Sequence, residues 1–153
     1  MNDPALALLY DVLEESKGSH LFVADEHLDT NQLLALKSIA NLTVLSNRYD
    51  IYKAALDNGI SCFFNDMDMS ACDSTFDLIV YRVSKEKAIV HHIINQAPKS
   101  LCPDGNLIIC GHKSEGIKTY ISKAEQYFGN KATVSKGERQ VKLARLAPGE
   151  LSQ

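Results

Sequence analysis

The sequence predicts an α/β domain: a mostly parallel, twisted sheet with helices on both faces and an antiparallel hairpin at the carboxyl end. Two observations point there. Short apolar runs alternate five times with segments of helical periodicity, and two further strand-like runs then follow one another with no helix between them. Repeated strand–helix units favour parallel pairing, because each crossover returns the chain to the same end of the sheet; consecutive strands can pair antiparallel. A chain of 153 residues is large enough to bury one proper core, so a single domain over residues 1–147 is expected. Residues 148–153, with Pro148 and Gly149, read as a tail or the start of a linker.

The opening helix spans Pro4 to Ser16, with Leu6, Leu9, Val12 and Leu13 at helical spacing, Asp3 as N-cap and Pro4 at the first helical position. Gly18 stops it. The run His20 to Ala24 is a first strand, apolar enough to be buried on both faces, and Asp25 to Thr30 is a polar connection. Asn31 to Ile39 is a helix, Leu42 to Leu45 a second strand, and Asp50 to Asn58 a helix ended by Gly59, with Asp50 read as its N-cap. Ser61 to Asn65 is a third strand and Asp66 to Ser74 an acidic loop. A fourth strand, Phe76 to Val83, leads to a helix over Lys85 to Ala97 in which Ala88, Ile89, His92 and Ile93 are expected to face inward. Pro98 and the Pro103-Asp-Gly105 turn precede a fifth strand, Asn106 to Cys110. Glu115 to Phe128 is the last long helix, stopped by Gly129. Ala132 to Ser135 and Gln140 to Leu146 form the closing hairpin around Lys136-Gly137-Glu138-Arg139.

The amino terminus carries Asp3, Asp11, Glu14 and Glu15 among its apolar residues, unlike an export signal, and no apolar run is long enough to span a bilayer as a helix. Cys62, Cys72, Cys102 and Cys110 are scattered without a CxxC pair, which fits a reduced, cytoplasmic setting. A zinc site from these cysteines with His91 and His92 is disfavoured, because ligands usually come in close pairs and adjacent helical histidines diverge. The net charge of −3 hides an asymmetry. Up to Asp77 there are 4 Lys/Arg against 13 Asp/Glu; from Leu78 onward there are 12 against 6. Such a basic second half can attract phosphate, although lysines also keep surfaces soluble.

In open α/β sheets the ligand crevice lies beyond the carboxyl ends of the strands, where strand order reverses. A nucleotide-type cofactor needs glycines in the first turn so that the backbone can approach it. The turn here is Ala24-Asp25-Glu26-His27-Leu28-Asp29-Thr30, with no glycine and three carboxylates. The second strand ends Val44-Leu45-Ser46-Asn47, without the acid that accepts ribose hydroxyls, and the third ends in Asn65-Asp66. Gly111-His-Lys-Ser-Glu-Gly116 could cradle a phosphate with help from Lys113, but it lacks the Lys-Ser/Thr ending of a P-loop and a plain strand-to-helix turn explains it better. His91, His92 and His112 stand in no nucleophile motif, and Cys62 and Cys110 are expected to act as small core residues.

The runs Phe76-Asp-Leu-Ile-Val80, Tyr81-Arg-Val-Ser-Lys85 and Leu101-Cys-Pro-Asp-Gly-Asn-Leu-Ile-Ile109, with Gly111 and Gly116 before the last long helix, resemble a known family. The chain is similar, over nearly its whole length, to the amino-terminal domain of the small-subunit ribosomal RNA guanine-N2 methyltransferases. That resemblance implies a Rossmann-like class I methyltransferase fold. It also implies a degenerate copy that binds no methyl donor, joined to a carboxyl-terminal catalytic domain that holds S-adenosylmethionine. The catalytic copy carries an Asn-Pro-Pro-aromatic motif after its fourth strand; here Arg82-Val83-Ser84-Lys85 stand there, so no catalytic residue carries over.

The first expectation is therefore a non-catalytic, metal-free module that supports the catalytic domain and helps to position ribosomal RNA, with Lys113, Lys136, Arg139 and Lys142 as phosphate contacts. Two alternatives stay open. One is an active methyltransferase with an atypical cofactor loop, using Asp25 and Asp66 near the donor. The other is a purely structural dimerisation domain.

Overall fold

Seven strands form one sheet in the order β3-β2-β1-β4-β5-β7-β6. The computed structural model describes residues 3–72 and 75–148; of the expected tail over 148–153, residues 149–153 lie outside them. The strands are β1 (His20–Ala24), β2 (Leu42–Ser46), β3 (Cys62–Phe64), β4 (Phe76–Arg82), β5 (Leu101–His112), β6 (Thr133–Lys136) and β7 (Val141–Leu146). The helices are α1 (Pro4–Glu15), α2 (Thr30–Leu36), α3 (Tyr49–Asp57), α4 (Lys87–Ser100) and α5 (Ile117–Phe128). Strands β1 to β5 pair in parallel and β6 and β7 form an antiparallel hairpin, as the sequence led us to expect; β7 is the strand of that hairpin that pairs with β5.

Alternation along the central strands sorts the core into two layers. Leu21, Val23, Ile79, Tyr81, Ile109 and their neighbours pack under α4 and α5. Phe22, Leu78, Val80, Ile108 and Cys110 pack under α1, α2 and α3. Both faces of β1 and β4 are thus covered, which is why these strands read as unbroken apolar runs.

Local chemistry sets the helix ends. Asp3 caps α1 by accepting from the amides of Ala5 and Leu6 at 3.0 and 3.3 Å. Asp29 and Gln32 form a capping box at the start of α2. Asp50 is not the cap of α3: the helix starts at Tyr49 after Arg48, and Asp50 sits in its first turn, bonded to the Arg48 guanidinium and to His27. An acid there interacts favourably with the helix dipole.

Four other expectations are corrected. Helix α4 runs through Pro98 to Ser100, since a proline in the final turn removes only one backbone bond. Its buried face is Val90, Ile93, Ile94 and Ala97, with His92 exposed, a rotation of the stripe by about one residue. Strand β5 begins at Leu101, with the Pro103-Asp-Gly105 turn absorbed as a bulge opposite β4 between Phe76 and Leu78. The closing hairpin is also looser than a tight turn. Arg139 and Gln140 both adopt left-handed backbone, so β7 begins at Val141, and Gly137 packs against Leu8 of α1.

Candidate functional site

Strand order reverses between β1 and β4, and a cavity of about 320 Å³ opens beyond their carboxyl ends. Its wall includes Asp3 from the start of α1, Asp25 and Glu26 from the turn after β1, Arg82 at the end of β4, and Glu115 from the turn before α5. Arg82 occupies the centre of this group. Its Nε lies 2.7 Å from Asp3 Oδ2, and its Nη1 lies 2.7 Å from Glu115 Oε2 and 3.9 Å from Glu26 Oε1. Nη1 also donates to the Val83 carbonyl at 2.8 Å. The Arg82 side chain is only 17% exposed, so this is a partly buried network rather than a surface pair. Burial disfavours its charge, but the bonds from Asp3 and Glu115 outweigh that and hold the guanidinium protonated far above its ordinary range. Burial raises the Glu26 carboxyl, and the nearby guanidinium opposes the rise.

The neighbouring residue of the turn points to the opposite face of the sheet. Asp25 Oδ2 accepts from the Tyr81 hydroxyl at 3.0 Å and from the Ser84 hydroxyl at 2.5 Å. Ser84 Oγ in turn accepts from the Glu86 amide at the entry to α4. Burial pushes the Asp25 carboxyl above its ordinary range, and the two hydroxyl bonds offset this only in part. At the end of β2, Ser46 is fully buried and donates to the Ala24 carbonyl at 2.7 Å. Several polar groups at the strand ends therefore bind one another, while Asp25 Oδ1 and Asn47 Oδ1 meet no partner among the described residues.

S-adenosylmethionine does not fit these residues. The β1 turn has side chains where a close backbone approach is needed, Asp25 is bonded to Tyr81 of β4, and Arg82 with Asp3, Glu26 and Glu115 lines the cavity wall. Asp66 is exposed and does not line this cavity, so it does not join Asp25 there. Among the described residues, no group of three or more His, Cys, Asp or Glu is placed to hold a metal ion. No helix among them is long and apolar enough to cross a membrane. Cys110 is buried as expected, whereas Cys62 on edge strand β3 is only half-buried.

The turn from Gly111 to Gly116 is a strand-to-helix connection rather than an open cradle. The His112 amide donates to Glu115 Oε1, the Ser114 amide to His112 Nδ1, and the Gly116 amide to the Lys113 carbonyl. Gly116 enters α5 at φ 86°, a left-handed conformation that favours glycine.

The basic candidates divide between two grooves. Lys113, Lys136 and Lys142 line one cavity of about 330 Å³, together with Lys118, which the sequence reading did not place among the contacts. Arg139 lines an adjoining groove against α1 with Asp11 and Glu138. The gathering follows from register, because Lys136 pairs with Lys142 across β6 and β7 and Lys142 stands opposite Gly111 on β5. The sequence reading also missed Arg82, Asp3 and Glu115 as a unit. Its only available signal was an arginine closing an apolar strand.

Comparison with known proteins adds to this geometry. Residues 12–139 match the family described as the methyltransferase small domain N-terminal. The ribosomal RNA small subunit methyltransferase C of Shewanella loihica is 26% identical over 132 residues, covering 84% of this chain and 37% of the relative. That of Shewanella pealeana is 24% identical over 118 residues, covering 77% and 34%. The chain thus spans little more than a third of these curated relatives. Among solved structures, a 16S rRNA N2 methyltransferase from Thermus thermophilus, in complex with AdoMet and guanosine, superposes with a TM-score of 0.76. It is 20% identical, over 97% of this chain and 40% of that one. An rRNA methylase from Streptococcus thermophilus gives 0.67 at 13% identity, over 97% and 98%. At these identities the likeness carries the Rossmann-like methyltransferase fold.

Proposed function

This chain belongs to the methyltransferase small domain N-terminal family, and on that premise we propose that it is the non-catalytic amino-terminal module of a two-domain small-subunit ribosomal RNA guanine-N2 methyltransferase. The observation that carries the reading is Arg82 locked between Asp3 and Glu115 in the crevice where a methyl donor would lie. In that reading S-adenosylmethionine belongs to the catalytic domain of the parent polypeptide, which this module supports, and the whole works in the cytoplasm. A second task is to help position RNA through Lys113, Lys136 and Lys142, whose common groove supports the idea.

A second reading, an active enzyme with an unusual loop, draws on two buried oxygens, Asp25 Oδ1 and Asn47 Oδ1, that meet no hydrogen-bond partner among the described residues. Both lie just beyond the ends of β1 and β2, where a ligand would bind in a working site.

Calorimetric titration of the chain with S-adenosylmethionine and S-adenosylhomocysteine separates the two. The non-catalytic reading expects no saturable heat at concentrations that would detect weak binding. Saturation in the micromolar range overturns it.

A further inference from the structure

We infer that Lys113, Lys118, Lys136 and Lys142 form a clamp for the phosphodiester backbone of helical RNA, gripping charge and shape without reading bases. The inference rests on the RNA-positioning part of the proposed function and specifies its ligand. All four side chains line the same cavity, whose floor includes Ile117 and Val141, and no carboxylate lines it. None of the four belongs to an ion pair among the described residues. Four like charges around one cavity of about 330 Å³, with no carboxylate among its lining residues, repel one another.

That repulsion is built into the sheet. Lys136 and Lys142 are direct cross-strand partners, and like charges at such a position destabilise a pair of strands. Ala144 and Leu146 on the Lys142 side of β7 pack into the layer under α4 and α5, which turns both lysines toward the start of α5. Lys113 and Lys118 reach the same space from the turn before α5 and from its first turn. An anionic ligand relieves the repulsion, and a polyanion with regularly spaced charges does so for several lysines at once.

The lining tells which anion. No aromatic ring lines the groove, so it lacks the platform on which single-stranded bases stack. The ring cluster of exposed Tyr49 and Phe64 with half-buried Tyr52 lies by β3, at the opposite edge of the seven-stranded sheet. With strands about 4.8 Å apart, the two edges are separated by about 29 Å. Lysines are point charges without the planar fork that reads guanine edges, which again favours phosphate over base.

The test is fluorescence anisotropy of the whole chain with labelled RNA hairpins of unrelated stem sequence and with an unstructured strand of equal length, over a series of salt concentrations. Each Lys→Gln change at the four positions should weaken binding alike for every stem and flatten the log–log salt slope by about 0.7 to 0.9. The quadruple variant should lose at least about tenfold in affinity at moderate salt. Lys53→Gln, on α3 outside the groove, controls for net charge, and thermal unfolding of each variant controls for folding. If the chain binds RNA but the quadruple variant keeps its affinity and slope, the clamp is wrong while RNA positioning by another surface survives. Tighter binding of the unstructured strand, or loss that depends on stem sequence, also overturns the clamp. If the unaltered chain binds no RNA even at low salt, the positioning role falls with it.

Discussion

Arg82 and Asp3, separated by 79 positions in sequence, share a bond in which one carboxylate performs two tasks. Asp3 Oδ2 meets the guanidinium at 2.7 Å, while Oδ1 accepts from the first amides of α1. The end of β4 is thereby tied to the start of the first helix, and Glu115 extends the tie to the entry of α5.

Replacing Arg82 by methionine should destabilise the fold by about 2 to 4 kcal/mol, because Asp3 and Glu115 would keep partly buried charges without a partner. Arg82→Lys should recover only part of this, since an ammonium cannot reach both carboxylates in the same fork. Denaturant midpoints at constant m-value measure both changes. At the partner position, Asp3→Asn should retain the cap and lose only the charge, whereas Asp3→Ala should cost about 1 kcal/mol more.

Asp25 should make stability fall as pH rises. Its carboxyl is raised above the ordinary value of 3.8 by burial, so the folded protein binds this proton more tightly than the unfolded chain does. Stability from this group is complete below 3.8 and declines as pH rises through the folded value. Asp25→Asn removes the titration. The difference between wild type and variant, followed by urea unfolding across that range, should shift steadily in favour of the variant; a constant difference would contradict this account.

Gly18→Ala should be strongly destabilising. Its φ of 94° costs a residue with a Cβ about 1 to 2 kcal/mol, and the new methyl would also meet the Asp77 carboxylate that accepts from Ser19. Repeating the change in an Asp77→Gly background, which removes every atom of residue 77 that the new methyl would meet, should leave only the backbone part, read from the melting temperatures of the four proteins.

Cys110 should resist thiol reagents in the folded state. Its thiol is fully buried, donates to the Ala5 carbonyl at 3.0 Å, and is held protonated chiefly by burial. Its labelling should follow global unfolding in denaturant. Labelling of Cys110 as fast as that of half-buried Cys102 would show that α1 leaves the sheet readily.

The order of elements, the opposite charges of the two halves of the chain and a first turn without glycine are all legible in the sequence. These properties are local: β1, the 78–81 stretch of β4 and the 107–110 stretch of β5 are apolar because both faces are covered, and Asp3 and Asp29 cap helices through residues two or three positions away. Where apolar residues surround a segment, local pattern fails. In α4 the run Ala88-Ile89-Val90 precedes Ile93-Ile94, so adjacent stripes compete, and packing under α4 and α5 selects Val90, Ile93, Ile94 and Ala97. Only the tertiary structure decided that Arg82 would meet Asp3 and Glu115, that Lys118 would join Lys113, Lys136 and Lys142, and that Arg139 would face α1 instead. Charge is written in sequence, but electrostatic energy depends on distance and burial, and strand order and register set both.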